Sequence, residues 1–209
     1  MRKVSVVGFI LLTAAICACT CSYSHDFDFG FGAGYAKLSL DIKPIGDDLL
    51  GVGSGQELKD VIGLKKAGNT YWLTGNVRFY RIKYCTFEAE TSYWSKTEKT
   101  KPPALNFVDV KTTFRDFSIG GNAIFISQKK KIKPFLGAGV ALHFLQLNVK
   151  PVQFPEVAEK GKKTKAGLNV LGGLEIPLKN KFSLFIAGRF DIVPNWNQFK
   201  IYSGIRYNI

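Results

Sequence analysis

The sequence predicts an all-β fold, an eight-stranded antiparallel up-and-down transmembrane β-barrel, and three observations lead there. Apolar and polar residues alternate with a period of two along its closing segments. The N-terminus carries an export signal, yet no later run approaches the roughly 18 apolar residues that a membrane-spanning helix requires. Lysines gather between the alternating runs, and aromatic residues gather near their ends.

The closing segments set the pattern. From Gln198 to Ile209, Phe199, Ile201, Ile205, Tyr207 and Ile209 alternate with Lys200, Tyr202, Gly204, Arg206 and Asn208. From Phe182 to Ile192, Phe182, Leu184, Ile186, Phe190 and Ile192 take one face, and Ser183, Phe185, Ala187, Arg189 and Asp191 take the other. Each segment matches the roughly 9 to 11 residues with which a tilted strand crosses a bilayer.

The chain is expected to divide into a signal peptide over residues 1–24 and a barrel domain over residues 25–209. Arg2 and Lys3 precede an apolar core from Val4 to Ile16, and Ala18, Thr20, Ser22 and Ser24 are small residues suited to cleavage between 18 and 24. Cys19 stands where a lipoprotein signal would place its acylated cysteine, while cleavage at Ser22 or Ser24 would remove it. Of the four cysteines only Cys85 lies far from this region, so no disulfide framework is expected.

The strands follow in order. The first runs from about Asp26 to Ile42, with Phe27, Phe29, Phe31, Ala33 and Tyr35 on one face; past Lys37 the apolar phase flips to Leu38, Leu40 and Ile42, which predicts a bulge. A long loop from Lys43 to Asn69 holds a short helix near Gln56 to Ile62. Strands two (Thr70 to Ile82) and three (Tyr84 to Ser95) form a tight hairpin whose register sets Phe79 opposite Phe87, Val77 opposite Ala89 and Arg78 opposite Glu88. Strand four runs from Asn106 to Ser127, strand five from Pro134 to Val149 and strand six from Ala166 to Ile176. Long and short connections alternate, as they do in barrels whose long loops all lie on one side of a membrane.

Alternation alone leaves open which face is wet, so a soluble lipocalin-like carrier of apolar ligands is the competing reading. The polar faces carry mostly Gly, Asn, Ser, Arg, Glu and Asp, and lysine is confined almost wholly to loops, turns and strand ends, as a lipid-embedded band requires. Tyr71, Trp72, Tyr93, Trp94 and Trp196 fall near one set of strand ends and Phe27, Tyr84, Phe125, Phe135, Phe182 and Tyr207 near the other, a pattern expected of two aromatic girdles. The first strand also lacks the Gly-x-Trp pattern of lipocalins.

Two stretches, Lys133 to Leu142 (KPFLGAGVAL) and Tyr202 to Ile209 (YSGIRYNI), resemble the outer-membrane β-barrel family that includes the OmpA membrane domain, OmpX/Ail and the Opa proteins. Within the second, Gly204, Tyr207 and Ile209 are similar to the C-terminal signal read by the barrel-assembly machinery, with Ile where that family usually ends in Phe. The resemblance implies location in a bacterial outer membrane and contact with its lipid and lipopolysaccharide. It implies architecture more than activity.

Eight strands leave an interior just wide enough for side chains to fill. The inward positions include a charge network of Arg78, Glu88, Glu90, Asp116, Glu175, Arg189, Asp191 and Arg206. Strand directions place Arg78, Glu88, Glu175 and Arg206 in the half nearer the termini and Asp116, Arg189 and Asp191 in the other. A paired plug is expected, because unpaired buried charge is costly; the alternative is a narrow gated channel through the same residues. No catalysis is expected. Histidine occurs only at His25 and His143 beyond the signal, no serine or acid is placed by sequence to join His143, and no metal-ligand spacing or cofactor motif is present.

The chain is basic, with 29 Lys and Arg against 16 Asp and Glu. Lys96, Lys99 and Lys101 belong to one expected loop, and Lys150, Lys160, Lys162, Lys163 and Lys165 to the next. They are either ordinary solvated charge or contacts to lipopolysaccharide phosphates or anionic host polymers. A monomer with a structural or surface-contact role is the first functional reading, a narrow channel the second and a lipid A-modifying enzyme the third. Nucleic acid is not an expected partner of an exported protein.

Overall fold

The computed structural model describes residues 27–40, 67–82, 85–101, 109–127, 131–154, 156, 158–178 and 181–209. The signal segment with Cys19, the helix expected near Gln56 to Ile62 and most of the first long loop lie outside the described residues. Eight strands follow in chain order: β1 (Asp28–Leu40), β2 (Ala67–Ile82), β3 (Cys85–Thr100), β4 (Val110–Ile126), β5 (Lys133–Pro151), β6 (Glu159–Pro177), β7 (Phe182–Ile192) and β8 (Trp196–Asn208). Each pairs antiparallel with the next, and β8 returns to β1 with Asp28 opposite Asn208, closing the barrel. An even strand count brings the described strand termini, Asp28 and Asn208, to the same end, here the terminal end; the opposite one is the far end.

The hairpin register follows the sequence expectation: Phe79 faces Phe87, Val77 faces Ala89 and Arg78 faces Glu88. A register shift lies on β2 between Phe79 and Arg81. The bulge expected on β1 is absent, since β1 pairs without interruption from Asp28 to Ser39. Its change of apolar phase has another cause. Leu38 is buried inside the far half of the barrel, where the interior itself turns apolar.

Two further boundaries differ from expectation. β3 extends through Lys96 and Lys99, and β6 begins at Glu159 rather than Ala166, so the lysine run is strand and not loop. Lysine is a poor strand former, but Asn148, Gln146 and Leu145 of β5 face Lys160, Lys162 and Lys163 and hold them in the ladder. β4 opens at Val110, with 102–108 outside the described residues.

Alternation sorts the faces. Leu184, Ile186, Ile201 and Ile205 point outward and are 43 to 53% exposed, as are Leu136, Val140 and Leu168 at about 60%. In water such a belt would be an apolar patch far beyond what a soluble monomer presents; in hydrocarbon it needs no cover. The inward face carries the charges instead, the reverse of the greasy cavity a soluble carrier needs. The chain is a transmembrane barrel.

Candidate functional site

The interior is built in two halves. On the terminal side, Glu175 of β6 accepts hydrogen bonds from Arg78 at 2.7 Å, from Arg206 and from Ser183 at 3.0 Å. Glu88 accepts from the same two arginines, at 3.2 Å from Arg78 and 3.1 Å from Arg206. Two carboxylates thus share two guanidiniums from four strands, the arrangement that lets buried charge survive. Arg78 lies over the Phe135 ring at 5.7 Å and Arg206 over Phe185 at 4.9 Å. These rings need space. A Cβ on Gly173 would stand 2.7 Å from Phe135 and one on Gly204 2.5 Å from Phe185, so both positions must be glycine.

Asn122 links this cluster to the next by donating to both Glu88 and Glu90, at 3.3 and 3.0 Å. Arg189 pairs with Glu90 and, at 2.5 Å, with Asp191. Lys200 reaches Asp191 at 2.6 Å and lies 4.6 Å above the ring of Trp72. The sequence reading missed Lys200. Its own strand contained the signal, because it shares the inward phase of Tyr202 and Arg206.

Beyond Lys200 the far half is aromatic. Trp94 stacks on Trp196 at 5.9 Å, Phe114 tilts against Trp196 at 5.7 Å, and Trp72 meets Tyr202 edge-on at 4.9 Å. Leu38, Leu145, Leu147 and Val193 fill the gaps, each at most 1% exposed. Trp72, Trp94 and Trp196 were expected in a lipid-facing girdle, as was Phe135; all four lie inside. Strand-end position fixes a residue's height, but its phase fixes its face, and all four are in the inward phase.

Asp116 enters this plug rather than the Arg189 cluster. It accepts from Gln198 at 2.7 Å and lies 2.9 Å from His143 Nδ1, while Trp94 donates to Gln198 at 3.1 Å. His143 therefore does have an acid partner, contrary to the sequence expectation. The pair is buried inside the barrel, His143 at 1% and Asp116 at 2% exposure. Among the described residues no group of His, Cys, Asp and Glu is arranged to hold a metal.

The basic residues form an outer site. Reading across strands at the far end, Ser95, Arg115, Gln146 and Lys162 make one outward row on β3 to β6, and Thr97, Thr113, Asn148 and Lys160 the next. Lys99, Lys111 and Lys150 make a third. Lys96 and Lys163 belong to the inward phase: Lys96 pairs with Glu98, and Lys165, in phase with Lys163, donates to Pro194 O at 3.0 Å across the mouth. Lys101, just past β3, lies 3.9 Å from Asp109. At the C-terminus Tyr207 faces outward against Phe182, 5.1 Å between ring centroids, and Ile209 N bonds Phe27 O at 3.0 Å.

No family model matches the chain, and no curated protein does. Solved structures do. Neisserial surface protein A aligns with 87% of this chain and 96% of its own at 18% identity and a TM-score of 0.56. The attachment invasion locus protein Ail of Yersinia pestis aligns over 90% and 100% at 9% identity and 0.57. A major outer membrane protein of Thermus thermophilus aligns over 90% and 100% at 11% identity and 0.52. This is the fold of the outer-membrane β-barrels.

Proposed function

We propose that the chain is a bacterial outer-membrane protein with a structural or surface-contact role, anchored by its barrel and passing no solute through it. The observation that supports this is the plug: Trp72, Trp94, Trp196 and Phe114 pack across the far half, Arg78 and Arg206 with Glu88 and Glu175 pack across the other, and Arg189 and Lys200 with Glu90 and Asp191 fill the level between. A channel needs a continuous wet path, and an aromatic layer above a charged one interrupts it. Work done at the far-end surface then remains. Ail has been seen in complex with the heparin analogue sucrose octasulfate, at a TM-score of 0.54 to this chain, which fits a basic far end meeting polyanions.

Planar-bilayer recording tests the reading. The folded chain should be electrically silent. A steady conductance altered by Arg78→Ala or Glu88→Ala would establish the gated channel instead, and a changed lipid A profile on overexpression would establish an enzyme.

A further inference from the structure

We propose that Lys200 and Asp191 condense inside the folded barrel to a self-formed amide bond, a covalent staple between β8 and β7. A lysine is almost never fully enclosed, yet this one and Asp191 are both at 0% exposure, with Nζ 2.6 Å from Oδ2. The contact lies outside hydrogen-bond angles, so neither atom has a hydrogen-bond partner among the described residues. Cγ is one bond beyond Oδ2, which puts the amine at or near the roughly 3 to 3.5 Å separation of atoms about to react.

The surroundings favour condensation over a lasting ion pair. The Trp72 ring lies 4.6 Å from Nζ, with Tyr202 edge-on against it, and the two rings shut water out on that side. Bare charges held without water are costly, and a neutral amide removes both. Arg189 donates to Asp191 Oδ1 at 2.5 Å, which fixes the carboxylate and stabilises the charge that develops on Oδ1 when Cγ is attacked. Glu90 pairs with the same guanidinium and is near enough to act on both Lys200 and Asp191, so it carries protons between them.

The step balances without a co-reactant. Nζ gives up two of its three protons, its electron pair forms the bond to Cγ, and the Cγ–Oδ2 bond breaks. Both protons reach Oδ2 by way of Glu90, and that oxygen leaves as water; nothing is oxidised or reduced. Other charged contacts lack some part of this arrangement. Arg78 and Arg206 offer guanidiniums, which stay charged and do not attack. Lys96 and Lys101 meet Glu98 and Asp109 where water reaches them.

Asp191 opposes Gln198 and Lys200 opposes Arg189, so the bond runs diagonally between neighbouring strands and closes a ring over the 193–195 connection. It fixes the level on which Trp72 rests, where the charged and aromatic layers meet. It depends on the closed barrel and on no surface contact.

Mass spectrometry of the full chain tests the staple. Unfolded in urea, the chain should carry the full mass of its sequence; after folding in detergent, followed by its heat-modifiable gel mobility, it should be one water lighter. Trypsin should then spare Lys200 and release residues 190–206 as one peptide, short by that water. Lys200→Arg and Glu90→Gln, once folded, should keep the full mass. A folded wild type at full mass, a water lost from another peptide, or an equal yield of linkage in Glu90→Gln would each overturn the proposal. Should a variant not fold, the wild-type mass and its peptide map decide. A chain that never folds in detergent removes the barrel reading itself, whereas a folded, unlinked chain removes this inference alone.

Discussion

The two halves of the barrel interior solve the same problem with different chemistry. Both must fill a lumen too narrow for a pore yet walled by strands whose outer face is committed to lipid. The terminal half does it with charge, Arg78 and Arg206 shared between Glu88 and Glu175; the far half does it with stacked rings, Trp94 on Trp196 with Phe114 beside them. A charged layer holds only while every member is present, because each removal strands a partner in a low-dielectric space. A ring layer degrades by volume, leaving a cavity whose cost scales with what was lost. Lys200 joins the two, bonded to Asp191 on one side and seated over Trp72 on the other.

That contrast orders the expected losses. Glu175→Ala leaves both Arg78 and Arg206 short of a carboxylate and should destabilise the barrel by about 3 to 5 kcal/mol in urea unfolding from lipid vesicles; a loss below 1 kcal/mol would mean that water reaches the cluster. Trp196→Ala should cost about 3 kcal/mol, the lower end for a large core truncation, because water can enter the cavity from the mouth. Placing charge on the wrong face sharpens the comparison: Ile186→Arg or Val170→Arg should cost about 2 to 4 kcal/mol in the same assay, and tolerance would show that the belt does not meet hydrocarbon. Shortening the 41–66 connection by eight residues should change stability by about 0.6 kcal/mol or less, since closure entropy depends weakly on length; a barrel that fails to fold would make that segment part of the core.

How much of this was legible in the sequence depends on the physical quantity asked for. Face and register were readable where a period of two runs unbroken: β7 runs from Phe182 to Ile192 as expected, and the Arg78–Glu88 pairing follows from a tight hairpin. The interior cluster of Arg78, Glu88, Glu175 and Arg206 follows from phase plus strand direction. The tryptophans were misplaced because aromatic residues at strand ends suit both a girdle and a plug, and only phase separates the two. The lysine run of β6 was misread for a different reason. Its strand character comes from the ladder to β5, and no local propensity records a partner 12 to 18 residues away, as Asn148 is from Lys160 and Leu145 from Lys163. Asp116 and His143 meet diagonally across that β4–β5 ladder, visible only once the register is carried from Phe125 opposite Leu136 to the far end.

The chain holds three tryptophans, and Trp72, Trp94 and Trp196 are each at most 1% exposed inside the far half, so its fluorescence reports on the plug alone. Quenching of the folded barrel in vesicles, by aqueous acrylamide and separately by brominated acyl chains, tests the interior directly. The account predicts weak quenching by both. Strong quenching by brominated lipid would put the rings in a girdle against the membrane, and strong quenching by acrylamide would reveal a wet path where a seal is described.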